Sequence, residues 1–143
     1  MAFLLAVDIV VITIVEQEKY ILLIKRKNNP FEDKWALPGG FVEENEEAID
    51  AAYRELKEET GLKEIDKLYE VGFFSKVGRD PRGRICSLAF LTILNEILPA
   101  KANTDAKQAN WFKFNELPPL AFDHDQIILQ AMEKLNLILQ IKY

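Results

Sequence analysis

A chain of 143 residues has room for one ordinary domain, and 49% hydrophobic with 29% charged residues is the composition of a soluble globular protein. A net charge of −5 argues against broad nucleic-acid binding, which favours a basic surface. It leaves room for a small anionic ligand, because cations bridge carboxylates to phosphates.

No repeat and no glycine-, serine- or proline-rich tract divides the chain, so residues 1–143 read as a single domain. The apolar start, "MAFLLAVDIVVITIV", lacks a basic leader and a cleavage site, is interrupted by Asp8 and is too short to span a bilayer. It reads as a core strand over 7–15, paired through the turn "EQEK" with a second strand over 20–25. Asp8 within it is either at a sheet edge or satisfied by a hydrogen bond. A polar loop follows, then "WALPGGFV", a short strand broken by Pro38, Gly39 and Gly40. The spacing predicts a helix from about Glu47 to Thr60, closed by Gly61 in the left-handed conformation. Strands are expected over 68–77, 85–96 and 109–114, with the turn-rich loop "GRDPRGR" between the first two. Cys86, the lone cysteine, lies in "ICSLAFLTIL" and reads as a buried thiol, which fits a reducing cytoplasm. "FDHDQIILQAMEKLNLIL" forms the last helix, with Asp123 and Gln126 at capping-box spacing. Strands dominate, and the order suggests a mixed sheet with helices packed against it, an α+β fold.

The first helix carries an unusual load of acid. Ile49, Ala52, Tyr53 and Leu56 make its apolar stripe, and Glu55, Glu58 and Glu59 fall within an arc of about 100° beside it. Like charges one turn apart repel. They read either as a solvated face or as a site for hard cations, which prefer carboxylate oxygens. Arg54 stands four residues before Glu58, close enough to orient a carboxylate.

The spacing decides between these readings. Gly40, Glu46, Arg54, Glu55, Leu56, Glu58, Glu59, Gly61 and Leu62 match every position of the Nudix hydrolase signature, a match with a chance of about one in 10⁸ at a given start. The segment resembles that family, which implies an α/β/α sandwich with a mixed sheet between helices. It also implies Mg²⁺- or Mn²⁺-dependent hydrolysis within the diphosphate of a nucleoside diphosphate derivative. By position, Glu55, Glu58 and Glu59 would be metal ligands together with the Gly40 carbonyl. Arg54 and Glu46 would position the loop and the carboxylates. Glu55 is one candidate base; Glu96 and Asp105 are others.

The flanking stretches "LIKRKNNPFEDKWALPGGFVE", "GRDPRGR" and "WFKFNELPPLAFDH" resemble ADP-ribose pyrophosphatases, and equally the Nudix domain of ADP-ribose-sensing repressors. The resemblance implies hydrolysis of ADP-ribose to AMP and ribose 5-phosphate. A fragment of a ligand-sensing repressor and a hydrolase of nucleoside triphosphates are the rival expectations. It also implies a homodimer, with no membrane partner and none expected among nucleic acids.

Arg79 and Arg82 of the basic loop can hold phosphate in a bidentate way, or be solvated in a turn with Arg84. Alternation sends Lys25 and Lys27 to one face and Arg26 to the other, so one of these reaches a ligand. Trp35, Trp111, Phe73 and Phe74 either stack on an adenine or pack in the core. His124, the lone histidine, reads as a structural group at the start of the last helix.

Overall fold

The computed structural model describes residues 2–95, 97 and 106–142. β1 (Leu4–Val15) and β2 (Glu18–Arg26) form the expected hairpin, each a little longer than its apolar run. Glu16 and Gln17 turn it with φ of 51° and 70°, the doubly positive geometry that matches strand twist. The two strands pair only between Ile12↔Ile21 and Val15↔Glu18. Towards the other end they part, and the next segment fills the fork. β3 (Trp35–Ala36) pairs with Ile24 and Lys25 of β2, while β4 (Gly39–Phe41) pairs with Ala6, Val7 and Asp8 of β1. Leu37 and Pro38 cross from one arm to the other.

Then come α1 (Ala48–Thr60), β5 (Tyr69–Phe74), β6 (Ile85–Leu94), β7 (Ala106–Lys113), a 3-10 turn over Phe114–Glu116 and α2 (His124–Lys142). β6 lies parallel to β1 from Leu4↔Ile85 to Thr13↔Leu94, and β5 runs antiparallel along its far side. β7 runs antiparallel along β2. The sheet is mixed, as expected.

Strand alternation sorts the core into two layers. Val10, Ile12, Ile21, Leu23, Ala89 and Leu91 face α2, where Ile127, Ile128, Ala131 and Leu135 cover them. Val7, Ile9, Val11, Leu22 and Phe90 face the other way, under Ala51, Ala52 and Leu56 of α1. The result is a helix–sheet–helix sandwich. Cys86 is buried in β6, as its apolar setting predicted.

α1 sits rotated from its expected stripe. Ile49 is 40% exposed, and the buried face is instead Ala51, Ala52, Glu55, Leu56, Glu59 and Thr60. Two of the acids therefore lie beneath the helix rather than beside its apolar stripe. Gly61 ends the helix at φ 78°, its N–H donating to the Lys57 carbonyl at 3.0 Å, so the predicted left-handed cap is present.

Because the two core layers are separated by the sheet, Leu56→Ala and Leu135→Ala should each cost about 2–5 kcal/mol. Their effects in urea denaturation should add to within about 0.5 kcal/mol in the double variant.

Candidate functional site

The fork opens into a cleft of about 540 Å³ lined from β1, β2, β4, α1, the loop before β6 and the lead into α2. One wall is acidic. Glu55 and Glu59 are 8% and 5% exposed, whereas Glu58 stands at the rim. A single guanidinium gathers the wall: Arg54 Nη1 donates to Glu55 Oε1 at 2.8 Å and to Glu58 Oε2 at 3.2 Å. Its Nε and Nη2 grip both oxygens of Glu46, and Nη2 also donates to the Phe41 carbonyl. Glu43 lies 3.8 Å from Nη1. Glu59 is held separately, with Oε1 accepting the Gly39 N–H at 2.6 Å.

The two glycines are demanded by space. A Cβ at Gly40 would stand 2.5 Å from the Glu55 carboxylate, and one at Gly39 would stand 2.7 Å from Asp8 Oδ1. β4 can therefore bring its backbone against the acids only where side chains are missing. Glu43, Glu46, Glu55 and Glu58 are four carboxylates gathered on one guanidinium, with Glu59 held beside them by the Gly39 N–H. Hydrogen bonds from Arg54 and from the Glu43 backbone hold the Glu46 carboxyl down at about 2. Arg54 is correspondingly pushed up, first by Glu46 and also by Glu55.

Arginines line the same cleft. Arg26 donates from Nε to the Pro30 carbonyl at 2.7 Å and lies 5.0 Å from the Phe122 ring. Arg82 lies 5.6 Å from the same ring and 5.0 Å from that of Phe41, and is paired with Asp80 at 2.8 Å. Burial, and then the neighbouring charge of Arg82, lowers the pKa of Arg26. Burial pushes the Asp80 carboxyl up, but its hydrogen bonds from Arg82 outweigh this and leave it lowered. Two like charges flank one aromatic ring, with anion-sized space before them.

The other expected residues separate. Arg79 borders the cleft, but its side chain is buried and engaged with both Asp123 oxygens at 2.9 and 2.7 Å and with the Ile85 carbonyl. That bidentate pair takes the carboxylate expected to cap α2, so the capping box is not made by the Asp123 side chain. Arg84 turns away to the Ser75 carbonyl and the Phe3 ring. Lys25 lies over Trp35, and Lys27 lies past the end of β2, where alternation no longer applies, and joins Arg26 at the cleft.

None of the four aromatics considered for stacking lines the cleft. Trp35 packs edge-on against Phe112, Trp111 and Phe74 pack against the core, and Phe73 is exposed on β5. Phe41 and Phe122 line it instead. Phe41 directly follows the paired glycines and Phe122 directly precedes the "DHD" start of α2, which were the available signals. Glu96 and Asp105, considered as bases, lie outside the described residues.

Below the cleft Asp8 is flanked by β4 and β6, so it is no edge residue; Oδ2 accepts the Ser87 hydroxyl at 2.5 Å. His124 Nε2 lies 3.4 Å from Asp8 Oδ1, and Nδ1 accepts the Leu37 N–H at 3.0 Å. Burial lowers the His124 pKa; Asp8 pulls it the other way without winning. The ring is therefore neutral near pH 7.

Among the described residues no three Asp, Glu, His or Cys side chains converge into a ready-made ion site. The donor set nevertheless suits a hard cation: oxygen atoms only, a surplus of negative charge, and a cradle at Gly40 that a Cβ would fill.

Comparison with known proteins agrees with this chemistry. The family model described as NUDIX domain matches residues 4–131. The ADP-ribose pyrophosphatase of Methanocaldococcus jannaschii is 50% identical over 125 residues, 86% of this chain and 72% of its own length. The ADPR responsive transcriptional repressor NtrR of Acinetobacter baylyi is 31% identical over 137 residues; this chain spans about half, 54%, of its length. Among solved structures, the NUDIX domain of Shewanella oneidensis NrtR complexed with ADP ribose superposes with a TM-score of 0.88 at 31% identity. That match covers 94% of this chain and 90% of the other.

The Glu46 carboxyl lies near 2 in the folded chain against an ordinary 4.5, so its contribution to stability is complete above about pH 4.5 and drains away as pH falls toward 2. Glu46→Gln should lower the urea midpoint at pH 7, and the gap from the wild type should narrow steadily below pH 4.5.

Proposed function

Since the chain belongs to the Nudix family, we propose that its cleft hydrolyses ADP-ribose, with water cleaving the diphosphate to give AMP and ribose 5-phosphate. The observation that carries this reading is that acids and arginines line one cleft. Glu55, Glu58 and Glu59 line the same cleft as Arg26 and Arg82, so a diphosphate can be held there both through cations on the acids and directly by the guanidinium groups. The 50% identity to an ADP-ribose pyrophosphatase supports the choice of substrate.

In this reading Glu55, Glu58, Glu59 and the Gly40 carbonyl would hold Mg²⁺ or Mn²⁺. Bound there, the metal supplies charge neutralisation for the diphosphate and a water of lowered pKa. Arg54 keeps Glu55 and Glu58 in place. Arg26 and Arg82 take diphosphate oxygens, and Phe41 and Phe122 offer the apolar surface beside them. Arg79 contributes through its grip on Asp123, which fixes the lead into α2. Glu55, buried and next to the cradle, is the base favoured among the described acids.

A second reading is supported by the likeness to NtrR: a domain that senses ADP-ribose without consuming it. The same proposal includes a cytoplasmic setting, supported by the buried lone thiol, and a homodimer. The dimer is supported by exposed Phe3, Leu4 and Leu5 at the N-terminal end of β1.

With Mg²⁺ and ADP-ribose, chromatography should detect AMP, and Glu59→Gln should reduce its rate by about 100-fold or more. Tight ADP-ribose binding without AMP would favour the sensor. Turnover of nucleoside triphosphates alone would redirect the substrate.

A further inference from the structure

The crossing of Leu37 and Pro38 between the arms of the fork is a short stretch outside both ladders, and each of its polar groups needs a partner. Pro38 finds one in β1, its carbonyl accepting the Ile9 N–H at 2.9 Å. Further partners come from the chain entering α2. The Ala121 N–H donates to the Trp35 carbonyl at 2.8 Å, and the Leu37 N–H donates to His124 Nδ1 at 3.0 Å. A side chain thus continues what began as a backbone ladder. Two residues beyond Leu37, the Gly39 N–H meets Glu59; three beyond, Gly40 abuts the Glu55 carboxylate.

We infer that His124 is a positioning residue: from α2, on the other face of the sheet from α1, it fixes the Leu37 crossing and thereby sets where Gly39 and Gly40 stand against Glu59 and Glu55. The inference rests on the reading of Gly40, Glu55 and Glu59 as metal ligands. Its requirement is an unprotonated Nδ1, which places the proton of the neutral ring on Nε2, toward Asp8 Oδ1 at 3.4 Å. The Ser87 hydroxyl, donating to the other oxygen of Asp8, holds that carboxylate in place. The charged groups facing the ring are Asp8 from β1, Asp123 from its own lead-in, Arg79 from the loop before β6 and Arg26 from β2. Protonation would turn Nδ1 from acceptor to donor and set it against the Leu37 N–H. Burial opposes that event, so the crossing is held at neutral pH and released only on acidification below the ordinary histidine range.

The test compares two amides of similar polarity. Asparagine places its oxygen where Nδ1 was, whereas glutamine reaches toward Nε2. Mn²⁺ binding to the full chain, followed by electron paramagnetic resonance with no nucleotide present, should be within about threefold of wild type in His124→Asn and weaker by about tenfold or more in His124→Gln. Equal affinities in the two variants would overturn the inference, since a merely structural role treats them alike. In the wild type, ¹⁵N shifts should show Nε2 protonated and Nδ1 bare near pH 7.5; a protonated Nδ1 would overturn it without any variant. A wild type that binds Mn²⁺ while the two variants match defeats the role of His124 alone. One that binds no Mn²⁺ defeats the metal reading with it.

Discussion

Where β1 and β2 part, their facing backbone groups lose each other as partners, and buried amides and carbonyls left without partners would each cost about 1–3 kcal/mol. The chain meets this constraint by sending the segment from Trp35 to Phe41 into the gap, one half on each arm. Everything at the cleft depends on that insertion. It brings Gly39 and Gly40 against α1, places Phe41 beneath Arg82 and leaves the Leu37 crossing to be completed by His124. The functional residues lie far apart in sequence because the gap is bounded by a hairpin, a helix and the start of another helix.

The second organising feature is the management of charge. Five carboxylates near one another would repel, and two of them are nearly buried. Arg54 serves four of them at once, and its planar fork of donors suits it to that task in a way a lysine would not. The remaining one, Glu59, leans on a backbone N–H of β4. The acids are therefore oriented before any cation arrives, and the surplus of negative charge remains as attraction. In the same cleft Arg26 and Arg82 are kept close by Phe122, whose ring lies near both.

Much of this was legible in the sequence, for identifiable reasons. The continuous apolar run in Val7–Ile12 marks a strand that enters the core, helical spacing in Ile127–Ile138 marks the covered face of the last helix, and a sheet with helices packed against it follows. The acids of α1 were legible because their spacing is a local property of one helix. What escaped was set by distant partners. Ile49 was expected in the apolar stripe, but the helix sits with Glu55 and Glu59 beneath it, Glu55 against Gly40 of β4. Asp123 has the chemistry of a helix cap, yet a guanidinium 44 residues earlier holds it. His124 acts through groups distant in sequence, its two ring nitrogens meeting Asp8 and the Leu37 N–H. Aromatics are abundant in the core, so only their place beside the paired glycines and the start of α2 separated Phe41 and Phe122 from Trp35 and Trp111.

The long parallel ladder between β1 and β6 bears on how the chain is made. Leu4 meets Ile85, 81 residues later, so a ribosome must release more than half of the chain before β1 acquires its partner on that side. Meanwhile a run of valine and isoleucine stays open along one edge, which is the circumstance in which nascent strands associate with one another. Asp8 sits in that run. In the finished protein Ser87 of β6 satisfies it, and a charge within an open apolar strand is a feature that disfavours pairing between copies. The same carboxylate that interrupts the open run lines the cleft in the finished protein.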